Sequence, residues 1–107
     1  MTKYVMVAHS SAKPGQETRY MDWYQNIHLR DICSIPGVQS GRVFEAMPAS
    51  PSKPATTYLA IYELDVQDPL TILQEMSRLH QSGRMQTTDA LDPTSAQITF
   101  YKQNFQR

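Results

Sequence analysis

The sequence predicts a single α+β domain with the element order β-α-β-β-α-β, a four-stranded antiparallel sheet with both helices on one face. Three observations predict it. The chain has 107 residues, 40% of them hydrophobic, enough for one core and too few for two independent ones. Four short runs are rich in β-branched and aromatic residues. Between them lie two segments whose apolar residues recur at helical spacing.

Lys3 to His9 ("KYVMVAH") is β-branched and apolar, as a buried strand would be, and "SSAKPG" breaks it. From Gln16 to Ser34 the apolar and aromatic residues fall at 20, 23, 24 and 27, and the stripe runs on to 35. This is the longest predicted helix. Pro36 disfavours helical geometry at Ile35, and Gly37 permits the turn into the next strand. Val38 to Met47 alternates imperfectly and reads as a strand in which Gly41 is a weak point or bulge. The segment "PASPSKPA", residues 48–55, has three prolines and predicts a loop. Thr56 to Leu64 ("TTYLAIYEL") has β-formers on both faces, the pattern of a central strand buried on two sides. Leu70, Ile72, Leu73, Met76 and Leu79 mark the second helix, with Pro69 in its first turn. Ser95 to Gln103 is the last strand.

Right-handed crossovers fold this order into the ferredoxin-like arrangement. The helices cover one face of the sheet. The other would present alternate residues to water, some tyrosines among them, and a second copy of the sheet is the simplest cover.

Lys plus Arg and Asp plus Glu are equal at 10 each, so no global field gathers nucleic acid or anionic lipid. The apolar run Tyr4–Ala8 is far too short for a membrane span or a signal-peptide core. Cys33 is the single cysteine. A reduced, cytoplasmic protein is expected.

At ~100° per residue, Tyr20, Tyr24, Ile27, Asp31 and Ile35 point to one side of the first helix, with His28 within ~60° of its centre. A carboxylate three residues from a histidine can accept the imidazole N–H and orient it as a general base. The same residues equally describe a half-buried histidine at the edge of a stripe, with Asp31 solvated or paired with arginine. His9 and His80 form a rival constellation, because the first strand and second helix end at the same end of the domain. Tyr20 lies there too, with His28 ~12 Å farther along the helix, so one small substrate is not expected to reach all three histidines. His80 shares a stripe with Leu73 and Met76 and is read as inward-facing, or as a helix-end group bonding the last carbonyls. Trp23 and Tyr24 serve a core, or the apolar wall of a pocket with a phenol donor. Cys33 beside Ile32 reads as packing. Phosphate loops, closely spaced metal ligands and a Gly-x-Ser-x-Gly elbow are missing from the sequence.

The stretch "DWYQNIHLRDICSIPGVQSGRVFE" (Asp22–Glu45) resembles the EthD-like branch of the dimeric α/β-barrel superfamily. Its members carry a Trp-Tyr or Phe-Tyr pair, a histidine near the end of the first helix, then Pro-Gly and a strand opening V-x-S-x-R-x-F. Here these are Trp23-Tyr24, His28, Pro36-Gly37 and the strand from Val38. Many members place a proline two residues after the histidine. This chain has Arg30, so the bend that proline favours is absent or differently made. The resemblance implies a homodimer packed sheet to sheet, with a pocket between each sheet and its helices. It further implies proton-transfer chemistry without cofactor or metal, of the isomerase, cyclase, dehydratase or lyase kind, on an apolar carbonyl or lactone compound.

On that reading His28 is the acid or base, Asp31 its orienting partner, and Tyr24 or Tyr20 the donor to a developing enolate oxygen. Trp23, Ile27, His80 and His9 would be substrate contacts. The alternatives are an oxygen-dependent monooxygenase with His80 as a haem ligand, and a ligand-binding module that never turns over.

Overall fold

A computed structural model describes residues 2–47 and 57–107. The strands are β1 (Thr2–Ser11), β2 (Val38–Glu45), β3 (Thr57–Val66) and β4 (Gln97–Lys102). The helices are α1 (Glu17–Trp23), α2 (Leu29–Cys33) and α3 (Leu70–Gln81). The sheet order is β2-β3-β1-β4, and every neighbouring pair is antiparallel. The predicted element order and sheet are both found. Strands β1 and β3 extend past their expected ends because they pair continuously from Thr2↔Val66 to Ser11↔Thr57. The expected proline-rich loop lies outside the described residues. No helix among the described residues is long and apolar enough to cross a membrane.

Strand β3 was expected to be buried on two sides, and it is sealed on one. Tyr58, Ala60, Tyr62, Leu64 and Val66 are all buried beneath the helices. Leu59 and Ile61, on the opposite face, are only half-buried. Period-two alternation puts Val5, Val7 and His9 of β1 on that open face too, with Phe44 of β2 and Tyr101 of β4. Phe44 is 46% and Tyr101 55% exposed. Tyr58 and Tyr62 therefore belong to the core, and Tyr101 to the open face.

The first helix is continuous from 17 to 33 but not uniform. Tyr24–His28 forms a π-helical turn between α1 and α2. A π-turn holds one residue more than the α-turn it replaces, so every later residue is rotated by one helical step. The buried positions after it are Ile32 and Ile35, where an unbroken 3.6-residue period put Asp31 inward. Asp31 turns to the side instead, its side chain 18% exposed and 3.9 Å from Arg30.

Gly41 is not a bulge, since the register break in β2 lies between Val38 and Ser40. It is a point of close approach. A Cβ there would come within 2.9 Å of the Tyr62 ring and 3.0 Å of Cys33 Sγ. Gly41→Ala should cost about 1–3 kcal/mol through overpacking, read as a lower urea midpoint. An unchanged midpoint would show that the Tyr62 ring swings aside freely.

Candidate functional site

A cavity of about 210 Å³ lies between the sheet and the first helix, at the end of the domain where β1 and α3 terminate. Tyr20, Trp23, Tyr24 and His28 supply one wall, Ala8 and Ser10 of β1 the floor, and Ile98 of β4 a flank. Met85, Thr88 and Leu91, from the loop after α3, close it from above, and His80 stands at the edge. No Lys, Arg, Asp or Glu lines it. A larger hollow of about 390 Å³ beside Lys3, Gln39, Glu63 and Gln106 has a polar rim and no imidazole, so the smaller cavity is the better candidate for chemistry.

The roof loop is tied to the rest of the domain by several bonds. Trp23 Nε1 donates to Gln86 O at 3.1 Å, and Arg19 pairs with Asp89 at 2.6 Å. Lys13 N donates to Ala90 O at 2.7 Å. Trp23 is thus both wall and tie.

Two hydroxyl pairs lie within or beneath the aromatic wall. Ser10 Oγ and Tyr20 Oη are 2.5 Å apart, and Tyr62 Oη donates to Tyr24 Oη at 3.5 Å. Burial pushes the Tyr20 phenol up to about 12, against the opposing effect of the Ser10 bond. Burial also raises the phenols of Tyr24 and Tyr62. All three stay protonated near neutral pH and remain hydrogen-bond donors.

His28 stacks on Trp23 with ring centroids 4.4 Å apart and meets Tyr24 edge-on at 5.0 Å. The π-turn makes the Trp23 stack possible by bringing residues five apart into line. Burial lowers the His28 pKa to about 4, and the Asp31 charge offsets only part of that. The imidazole is neutral at physiological pH. Its Nδ1 is sealed from solvent and has no hydrogen-bond partner among the described residues.

The structure brings together residues that helix distances had kept apart. Tyr20, His28 and His80 border one cavity, because long aromatic side chains span the distance that backbone rise sets between them. Four expectations are corrected. Among the described residues no hydrogen bond joins Asp31 to His28, since the π-turn rotates the carboxylate aside. Ile27 is half-buried and does not line the cavity, for the same reason. His9 borders the cavity only through its main chain, because alternation sends its side chain to the open sheet face beside Leu59. His80 is exposed at the mouth, while Ile72, Met76 and Leu79 form the inward stripe of α3. Ser10, Met85 and Leu91 were not anticipated. The one signal for the latter two was apolar residues inside an otherwise polar loop.

Burial raises the Cys33 thiol, which argues against a nucleophile there. No group of three or more His, Cys, Asp or Glu side chains among the described residues could hold a metal ion. The cavity is below the several hundred Å³ that drug-sized ligands occupy.

Solved structures share this architecture over nearly the whole chain. A candidate antibiotic biosynthesis monooxygenase from Bordetella bronchiseptica superposes with a TM-score of 0.71 at 9% identity, covering 98% of this chain and all of that one. An ethyl tert-butyl ether D (EthD) family protein from Bacillus halodurans gives 0.62 at 17% identity, covering 94% and 99%. A dimeric ferredoxin-like protein from an uncultured marine organism gives 0.56 at 12% identity, covering 95% and 94%. This chain has the ferredoxin-like fold. The EthD-like resemblance of residues 22–45 therefore holds at the level of architecture. No family model and no curated protein sequence matches the chain. Within the ferredoxin-like frame, the cavity occupies the space between sheet and helices, on the side away from the open face.

Proposed function

We propose that the chain is a homodimeric EthD-like enzyme that moves a proton on a small, uncharged, largely apolar carbonyl or lactone compound without a cofactor. The observation that carries this reading is the cavity itself. It is apolar, holds no ionic side chain, and presents the neutral imidazole of His28 inside an aromatic wall. Such a site strengthens directed hydrogen bonds by excluding water. His28 and the phenols of Tyr20 and Tyr24 are the groups placed to stabilise an enolate oxygen, and His80 at the mouth is the second imidazole. The single free thiol suits a cytoplasmic setting.

Deuterium wash-in from D2O at the α-carbon of 2-tetralone, followed by proton NMR, tests the reading directly. Wild type should accelerate exchange above the buffer rate, and no acceleration with a panel of cyclic ketones and lactones would count against proton transfer. Two structural neighbours are described as monooxygenases, which makes oxygen-consuming oxidation the second reading. Oxygen uptake with the same probe would favour it.

Dimerisation is proposed from the open sheet face. Half-buried Val5, Val7, Leu59 and Ile61 lie there with exposed Phe44 and Tyr101, a patch that a sheet-to-sheet contact would dry. Sedimentation at micromolar concentration should give twice the mass of 12.2 kDa. A monomer there would exclude a stable pair.

A further inference from the structure

We infer that His28 meets its ligand as a neutral N–H donor through Nε2, and that the ligand group seated against it is an uncharged acceptor oxygen of the carbonyl type. The inference deepens the proposed function and rests on the cavity being a small-molecule site. It begins with the two ring nitrogens. Nδ1 is sealed and has no hydrogen-bond partner among the described residues. A proton on it would be a buried donor with nothing to bond, which folded proteins avoid more strictly than a bare acceptor. The proton therefore belongs on Nε2. Among the described residues Nε2 has no protein partner either, yet it is not sealed, and His28 lines the cavity.

A histidine becomes a base at one nitrogen when an acceptor holds the proton on the other. That acceptor is missing here. Asp31, the carboxylate expected to serve, lies beside Arg30 at 3.9 Å. His28 instead offers a hydrogen bond that strengthens as negative charge gathers on the bound oxygen, while its proton stays on nitrogen. No cationic side chain in the lining would match a carboxylate or phosphate ligand, and no anionic one would match an amine. His80 at the mouth is the remaining imidazole of the lining.

Long-range proton–nitrogen correlation spectra of the full-length chain at pH 7 read the tautomer without reference to turnover. His28, assigned by its missing signals in His28→Gln, should show the Nε2–H pattern, and the Nδ1–H pattern would overturn the proposal. The ligand half is tested by binding 2-tetralone and tetralin, which differ in the carbonyl. Wild type should prefer the ketone by about tenfold, the scale of one hydrogen bond, and His28→Phe should lose that preference. Equal binding by wild type would overturn the assignment of an acceptor oxygen. Failure of wild type to bind either compound would refute the small-molecule reading of the cavity, and the tautomer result would stand apart from it.

Discussion

Replacing Gly37 with valine should destabilise the domain by roughly 3 kcal/mol or more, a large share of the roughly 5–15 kcal/mol that holds an ordinary domain together. Two separate costs act at this position. Gly37 has φ +97°, where a β-branched side chain is strained by about 1–3 kcal/mol. A Cβ there would also overlap Val66 Cγ1, with Ile72 Cδ1 3.8 Å away. Both neighbours are buried, at 7% and 1% exposure, so neither yields easily. The backbone cannot move away, because Gly37 O accepts from Asp65 N at 2.9 Å and ties the turn to β3. Urea unfolding measures the sum. Val66→Ala combined with Gly37→Ala separates the parts, since the double variant should relieve the overlap and keep the backbone strain. An unchanged midpoint in Gly37→Val would mean that the turn can rebuild itself at little cost.

His28→Gln should lower turnover, followed by deuterium wash-in, by about a hundredfold or more, the scale of losing a transition-state donor or an acid–base group. Asp31→Asn should change it little, because the carboxylate makes no hydrogen bond to the imidazole. The pH profile sharpens the test. An unperturbed histidine would give a limb between about pH 5 and 8. Burial moves that group to about 4, so the limb that vanishes in His28→Gln should lie near pH 4.

Stability carries the same signature with a definite sign. The folded pKa lies below the unfolded value of 6.5, so between those limits the unfolded chain binds more protons. The contribution is fully present above about pH 6.5 and is lost as pH falls through 4, by a total on the order of 3 kcal/mol. Urea midpoints of wild type should fall across this window more steeply than those of His28→Gln. Parallel curves would show that His28 is as accessible to protons in the folded protein as in the unfolded one.

Much of the architecture was legible because it rests on local chemistry. Pro36 and Gly37 end a helix wherever they stand, and the turn at Gly37 has the positive φ that only glycine accepts readily. The period of Ile72, Met76 and Leu79 defines one face of α3 whatever it packs against. Four β-rich runs and two helical stripes in that order leave few topologies open, and the four-stranded antiparallel sheet observed is the expected one.

The site was half legible. The residue types from Tyr20 to His28 marked a candidate wall, and four of them do line one cavity. The exact phase of the helix was hidden, because a single inserted residue leaves no mark in a 3.6-residue pattern. Whether Tyr24–His28 winds as a π-turn depends on the stack of His28 on Trp23 and on the sheet that Tyr24 packs against. That choice decided that Ile32 replaces Asp31 in the core and that His28 is left without a carboxylate partner. Strand register likewise decided that His9 faces away from the cavity while Ser10 faces Tyr20. Sequence by itself determined which elements form and where they stop, since propensity and turn chemistry act over a few residues. Only the packed tertiary structure decided which side chains share a cavity and in what charge state, because phase, register and desolvation arise from contacts between segments distant in the chain.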